Sequence, residues 1–380
     1  MTTKITADWL SSDAVRAVCR MLTDAGYQAW FVGGCVRNAL IDAPVSDLDL
    51  STNARPRVVV ELAEKAGLKA IPTGIDHGTV TVVAGGEPFE ITTFRKDVVT
   101  DGRRATVAFA DDMDSDARRR DFTMNALYAD QEGGVADPLD GLPDLMARRV
   151  RFIEDPDQRI KEDYLRILRF FRFHAWYGDA DAGIDADGLA ACADNVDGLA
   201  TLSRERIGQE FRKLLLASDP APALASFAST GGLAQILPGA DAGALAILVH
   251  VEESADLEPD FIRRLAVLGG DEVDQALRLS KAETRGLEAL KAATDPAELA
   301  YRFDAKAGWD LLAIQAASLG QLIDPAAGQM VDYAAEQTFP LKAVDLTGSF
   351  SGPALGRALK EAEARWIASG FTLTKDDLLG

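Results

Sequence analysis

Cysteine is scarce. Cys19, Cys35 and Cys192 are the only three in 380 residues. They are far apart and odd in number, which excludes a disulfide framework and a zinc ribbon. Histidine is as sparse: His77, His174 and His250 form no cluster, and no His-Asp doublet of the kind that marks a metal-dependent phosphohydrolase is present. Long apolar runs are missing. The longest, near 242–251, is broken by His250 and is too short to span a bilayer. The opening MTTKITADWL has neither the apolar core nor the cleavage site of a secretory signal. A basic surplus is missing too: 40 Lys and Arg stand against 60 Asp and Glu, for a net charge of −20, which argues against general adhesion to nucleic acid. These absences predict a cytoplasmic protein in reducing surroundings, with no membrane partner and no obligate protein partner evident.

What is present is a globular composition, 47% apolar, in a chain long enough for two to four domains. The charge is uneven. Residues 1–175 carry 23 basic and 28 acidic groups, whereas residues 176–380 carry 17 and 32. The basic groups of the first part cluster at Arg103-Arg104, Arg118-Arg119-Arg120, Arg148-Arg149 with Arg151, and Arg166, Arg169 and Arg172. They offer a polyanion local holds on an otherwise acidic surface.

The most informative stretch is FVGGCVRNALIDAPVSDLDLST, residues 31–52. Its apolar entry reads as a strand, Gly33-Gly34 as a turn, Val36–Leu40 as the first turns of a helix, and Ser46–Leu50 as a second strand. On a strand, side chains two apart share a face, so Asp47 and Asp49 project together while Leu48 and Leu50 face the core. Paired carboxylates suit Mg²⁺, which completes its shell with substrate phosphates and water. The glycines upstream leave backbone N–H groups bare for phosphate oxygens.

The rest of the chain up to Gly141 mixes helices and hairpins. A helix is predicted over residues 12–26, capped by Ser12 or Asp13, and another over Arg57–Ala66. Strands are predicted over Thr79–Val83 and Phe89–Phe94, around Gly85-Gly86. Glu90 joins the Asp47/Asp49 face if its strand lies alongside. Arg95–Thr106 is charged and glycine-containing and reads as a mobile loop, followed by a short strand at Val107–Phe109. After Leu142 no further strand is expected. One long helix is predicted over Arg159–Tyr177, with Glu162, Asp163, Arg166 and Arg169 on one side. A second is predicted from a Ser203 cap over Arg204–Leu216, and further helices recur to the end.

Several separate stretches resemble the class II CCA-adding tRNA nucleotidyltransferase and bacterial poly(A) polymerase family, within the polymerase-β-like superfamily. They are Gly33-Gly34-Cys35-Val36-Arg37 with Asp47-Leu48-Asp49; Arg119-Arg120-Asp121-Phe122-Thr123-Met124-Asn125-Ala126; Asp137-Pro138 with Asp140-Gly141; Glu162-Asp163-Tyr164-Leu165-Arg166 with Arg169 and Arg172-Phe173; and Ser203-Arg204-Glu205-Arg206-Ile207. Asn38 departs from the pattern, standing where an Asp commonly follows the Arg, and so does Glu154, where a Gly is usual. The resemblance implies an α+β fold: a nucleotidyltransferase head with a mixed sheet (residues 1–142), then an all-α neck (143–217), body (218–295) and tail (296–380).

It further implies addition of CCA to tRNA 3′ ends from CTP and ATP. Two Mg²⁺ ions would sit on Asp47 and Asp49, with Glu90 as a further catalytic carboxylate. Gly33, Gly34 and Arg37 would hold phosphates. Arg120 and Asp121 would contact the sugar, with Asp121 the candidate acceptor for its 2′-hydroxyl, and Asn125 would belong to the nucleotide-binding set. Asp163 and Arg166, three apart on a helix face, would read the base, braced by Glu162 and Arg169. A carboxylate accepts and a guanidinium donates, so the pair matches the amino group and ring nitrogen of C and A and opposes U and G. The Asp101-Gly102-Arg103-Arg104 loop favours the full CCA repertoire over CC-only or A-only addition. Poly(A) polymerase activity and non-catalytic RNA binding are the competing expectations.

Overall fold

The computed structural model describes residues 3–100 and 105–380. It divides into two compact units: residues up to Leu214 with Pro222–Ile236, and Leu215–Ala221 with Leu237–Gly380.

The first unit is built on a seven-stranded sheet. Its strands are β1 (Trp30–Val32), β2 (Leu48–Thr52), β3 (Lys69–Gly74), β4 (Thr79–Ala84), β5 (Glu87–Thr93), β8 (Tyr128–Ala129) and β9 (Val135–Ala136), in the order β3-β4-β5-β2-β1-β8-β9. Every pairing is antiparallel except β2 with β5, which is parallel. Alternation decides the faces: in β4, Val80, Val82 and Ala84 are buried between half-exposed neighbours. Helices α1 (Asp13–Thr23) and α3 (Pro56–Lys65) pack on one another and on the β3–β5 side, while α2 (Gly34–Leu40) packs on β1 and β2. Ser12 caps α1 by accepting from the Val15 N–H at 3.1 Å. The mixed sheet and helical remainder are the α+β architecture expected, and among the described residues no named strand follows Ala136.

Three expectations need correction. The stretch read as a loop at Arg95–Thr106 contributes to a two-stranded ribbon, β6 (Arg95–Thr100) with β7 (Ala105–Phe109). The stretch is rich in β-branched residues, a composition that favours extended backbone despite the interspersed charge. The motif Asp101-Gly102-Arg103-Arg104 lies outside the described residues. Second, β2 begins at Leu48, so Asp47 is the last residue of the incoming loop rather than a strand residue.

Third, the long helix at Arg159–Tyr177 is two helices, α6 (Pro156–Glu162) and α7 (Leu165–Tyr177), following α4 (Met113–Arg118) and α5 (Leu142–Met146). Asp163 stands between them in extended conformation, φ −154° and ψ 104°. Its Oδ1 accepts from the Leu165 N–H at 3.1 Å. A short acidic side chain that bonds its own local backbone competes with helix continuation in this way. Asp163 and Arg166 therefore do not share a helix face.

Helices α8 (Ala186–Asp194) and α9 (Arg204–Leu215) follow. An aromatic core of Phe122, Phe152, Phe170 and Phe173 locks α7 to the turn after α4, with ring centroids 4.9–6.3 Å apart. The second unit is helical throughout, including Lys281–Ala292, Ala305–Leu319 and Pro353–Ala368. Its centre is a buried ionic cluster, Arg263 and Arg264 with Glu252 and Asp310. A second core is Trp366 against Tyr301, Phe339 and Phe371. Among the described residues no helix is long and apolar enough to cross a membrane.

Candidate active site

The first unit carries an open cleft of about 430 Å³, lined by Gly33, Gly34, Arg37, Asp47, Asp49, Arg120, Asp121, Asn125 and Arg169 among the residues anticipated. It is also lined by Cys35, Asn38, Val45, Ser46, Arg172, Phe173, Tyr177 and Lys213. Glu90, Glu162, Asp163 and Arg166 do not line it.

The floor is made by the β1–α2 turn. Gly33 has φ +73° and ψ −121°, a backbone state that side chains resist, and it ends β1 and starts α2. A Cβ built there would also meet an Arg120 guanidinium nitrogen at 3.5 Å. Cys35 beside it is buried, and burial pushes its thiol up to about 11, so it is an inert neighbour rather than a nucleophile.

One wall is acidic. Asp49 is half-buried on β2, and Asp47 is exposed just ahead of it. Glu90 is the register partner of Asp49 across the parallel pair β2–β5, so its strand does lie alongside. Burial first, then Glu90 and Asp47, raise the Asp49 carboxyl to about 6 against the pull of Arg120. Carboxylates so placed are short of a cation. Among the described residues no group of three or more His, Cys, Asp or Glu side chains is placed to hold a metal ion. The Asp47/Asp49 pair thus offers the two hard oxygen donors that Mg²⁺ takes from protein, and a bound phosphate would have to supply more.

The opposite wall is cationic and is one continuous strap. Tyr177 Oη accepts from Arg37 at 2.8 Å, and Arg37 donates to Asn125 Oδ1 at 2.5 Å. Asn125 Nδ2 donates to Asp121 Oδ1 at 2.9 Å, and Arg169 Nε donates to Asp121 Oδ2 at 2.7 Å. Arg172 then pairs with Glu210 of α9 at 2.6 Å, and Arg169 approaches the same carboxylate at 3.8 Å. Phe173 sits among three guanidiniums, those of Arg37, Arg169 and Arg172, at 4.4–5.2 Å from its ring centre. Burial would lift the Asp121 carboxyl, but Arg169 and Asn125 hold it far below the usual carboxylate range. Its oxygens accept from the Phe122 N–H, Asn125 and two nitrogens of Arg169. All the usual acceptor positions of a carboxylate are thereby taken. In this arrangement every partner of Asp121 is a protein group, with Arg169 held by two of the contacts.

Behind the strap lies a buried anion that the sequence did not single out. Asp116 accepts from Arg119 at 2.8 Å, Arg120 at 3.1 Å and Tyr128 Oη at 2.8 Å. Despite burial, Arg120 and Arg119 hold its carboxyl at about 2. It fixes the guanidinium of Arg120 over Gly33.

The base-reading candidates are held by their own partners. Arg166 donates to Glu162 Oε2 at 2.6 Å and to the Arg119 carbonyl at 3.1 Å, while Arg159 donates to the Arg120 carbonyl at 2.8 Å. Asp163 accepts from Arg206 of α9 at 2.7 Å. Glu162 thus pairs with Arg166, whereas Arg169 pairs with Asp121 and approaches Glu210. Arg172, Tyr177, Lys213 and Glu210 were not assigned to the site from sequence. The first lay in an arginine cluster already noted, and the others carried no local signal.

Comparison with known proteins adds identity to this geometry. A family model described as the poly A polymerase head domain matches residues 29–151, and one described as a probable RNA and SrmB-binding site of polymerase A matches 183–243. A CCA-adding enzyme of Lactobacillus delbrueckii subsp. bulgaricus is 39% identical over 255 residues, covering 66% of this chain and 62% of that protein. The chain therefore spans under two thirds of the length of that curated relative. The mitochondrial CCA tRNA nucleotidyltransferase 1 of Danio rerio is 32% identical over 390 residues, covering 97% of this chain and 90% of that protein. Among solved structures, the Bacillus stearothermophilus CCA-adding enzyme in complex with CTP matches with TM-score 0.75 and 28% identity, covering 94% of this chain and 92% of that one. A Thermotoga maritima CCA-adding enzyme complexed with tRNA shares the fold at TM-score 0.71 and 18% identity, covering 100% of this chain and 98% of that one.

Proposed function

The chain belongs to the CCA tRNA nucleotidyltransferase family, and on that premise we propose that it adds CCA to tRNA 3′ ends by nucleotidyl transfer from CTP and ATP, releasing pyrophosphate. The observation that carries this reading is one cleft in which Asp47 and Asp49 meet a strap of arginines, Arg37 from α2 with Arg169 and Arg172 from α7. The Bacillus stearothermophilus CCA-adding enzyme in complex with CTP supports the same choice of nucleotide.

Asp47 and Asp49 would hold two Mg²⁺ ions, which when bound supply charge neutralisation at the transferring phosphoryl group. Arg37, with Gly33 and Gly34, would hold the triphosphate. Arg120, fixed by Asp116, and Asn125 would border the sugar, and Asp121 would keep Arg169 in place. Glu90 would act through the charge it places beside Asp49. Asp163 and Arg166 would select the base, with Glu162 holding Arg166 and Arg206 holding Asp163. Their place outside the cleft lining requires that the base reach beyond the cleft toward the α6–α7 break. We further assign residues 1–142 to a head, 143–217 to a neck, 218–295 to a body and 296–380 to a tRNA-binding tail, and place the protein in the cytoplasm.

The deciding experiment supplies Mg²⁺, tRNA lacking its 3′ end, and each nucleoside triphosphate singly and mixed, and sequences the added tail. Addition of C, C and A in that order is expected. A homopolymer of A would replace this reading with poly(A) polymerase activity, and no extension would leave RNA binding without catalysis.

A further inference from the structure

We propose that Asn38 is a neutral holder that fixes Arg37 and the Asp47 loop together while leaving the Arg37 charge uncompensated for a triphosphate. This rests on the nucleotide reading above and concerns a position where the chain departs from its family pattern.

Asn38 Oδ1 accepts from Arg37 Nε at 3.0 Å and Nη2 at 2.8 Å, and Asn38 Nδ2 donates to the Pro44 carbonyl at 2.6 Å. A guanidinium only donates and a carbonyl only accepts, so the amide has one satisfactory orientation. One side chain thereby ties α2 to the loop that delivers Asp47. The other partners of Arg37 are Asn125, the Tyr177 hydroxyl, the Tyr177 ring at 3.9 Å and the Phe173 ring at 5.1 Å. All are neutral.

The contrast with its neighbours in the same cleft is sharp. Arg120 pairs with Asp116, Arg169 with Asp121 and Arg172 with Glu210. Among the described residues Arg37 makes no ion pair, although it is only 6% exposed. A buried, unpaired cation is costly, and burial accordingly lowers its pKa. Such a group is retained where an arriving anion completes it. An aspartate at position 38 would supply that anion permanently. It would also turn an oxygen toward the Pro44 carbonyl in place of a donor.

The test titrates inorganic tripolyphosphate into the full-length protein and its Asn38→Asp and Asn38→Ala variants by calorimetry at fixed Mg²⁺, with thermal midpoints in parallel. Asn38→Asp should weaken binding about tenfold, because it places a like charge beside the bound anion. Its midpoint should stay at or above that of Asn38→Ala, since Arg37 gains a partner. Asn38→Ala should lose stability and weaken binding by clearly less than Asn38→Asp, since Arg37 loses its holder but stays uncompensated. Parental affinity in Asn38→Asp overturns the inference, as does an affinity loss in Asn38→Ala equal to or larger than that in Asn38→Asp. If Asn38→Asp does not fold, Asn38→Ala decides alone: a lowered midpoint with an affinity loss well short of tenfold supports the inference, and a parental midpoint or a tenfold loss overturns it. Failure of the parent protein to bind tripolyphosphate is a different result, and it removes the nucleotide reading itself.

Discussion

Arg169 and Asp121, 48 residues apart, meet in the cleft wall with the guanidinium Nε and Nη2 both on Asp121 Oδ2. The other carboxylate oxygen is taken by Asn125 and the Phe122 N–H. We propose that a carboxylate so engaged orients its arginine rather than binding the sugar. Asp121→Asn should therefore lower kcat/KM for CTP by about a hundredfold while leaving the preference for CTP over dCTP within threefold, since an orienting contact is lost and no hydroxyl contact is. Stability should fall by about 3 kcal/mol, as for one partner of a buried pair. Urea melts and parallel CTP and dCTP kinetics check both, and a collapse of ribose selectivity would return Asp121 to the sugar.

Asp49 sits beside Glu90 with its carboxyl raised to about 6. The sign of the linkage follows. An ordinary aspartate titrates near 4, so the folded protein holds the extra proton between about pH 4 and 6 and loses stability as pH rises through that window. Above pH 6 the ionised group remains a net burden. Asp49→Asn should stabilise the metal-free protein at pH 7 by about 1–3 kcal/mol, the free-energy equivalent of the shift. It should reduce nucleotide addition by at least about a thousandfold if the carboxylate holds a catalytic ion. Opposite movement of midpoint and rate is the expected signature, and a variant with near-parental activity would remove Asp49 from the chemistry.

Asp116 titrates the other way. With its carboxyl held at about 2 by Arg120 and Arg119 against the cost of burial, its stabilising contribution is complete above the unfolded value near 4 and is lost as pH falls toward 2. The carboxyl carbon resonance of Asp116 should stay at its ionised position from pH 7 down to pH 4. Asp116→Asn should destabilise by about 3–5 kcal/mol at pH 7, since two guanidiniums then lose their shared anion. A carboxyl that titrates near pH 4 would show that the arginines are not bound to it.

The sequence exposed those parts of the site that are local. Gly33-Gly34 and Asp47/Asp49 lie within one strand–turn–helix–strand stretch, so their meeting needs no long-range information. Glu90 was conditional on a pairing, and the β2–β5 register supplied it. What stayed hidden depends on packing between distant segments. Asp116 is one of four aspartates between positions 111 and 116 and carries no signal of its own; only burial against Arg119, Arg120 and Tyr128 distinguishes it. Tyr177 and Lys213 line the cleft from two helices far apart in sequence, which the Arg172–Glu210 pair and the Trp176–Lys213 hydrogen bond tie together. The break at Asp163 escaped because helical periodicity continues through it; a single Asp–backbone bond overrides that periodicity. The β6–β7 ribbon escaped because its charges outweighed its β-branched residues in the reading.

That break shapes the remaining prediction. Asp163 is held by Arg206 at 2.7 Å in a partly exposed pair, while Arg166 is held by Glu162 at 2.6 Å in a more buried one. If the two residues read the base together, each depends on its holder for aim rather than for existence. Arg206→Ala should cost under about 1 kcal/mol of stability, as half-exposed pairs do. It should nevertheless raise misincorporation of U or G about tenfold, because a swinging carboxylate no longer opposes their carbonyl groups. Glu162→Gln should show the same loss of selection with a larger stability cost, since Glu162 also pairs with Arg159 at 2.5 Å. Sequencing tails made with equal concentrations of all four triphosphates reads both variants at once. Parental selection in Arg206→Ala, alongside lost selection in Arg166→Ala, would assign base reading to Arg166 without Asp163.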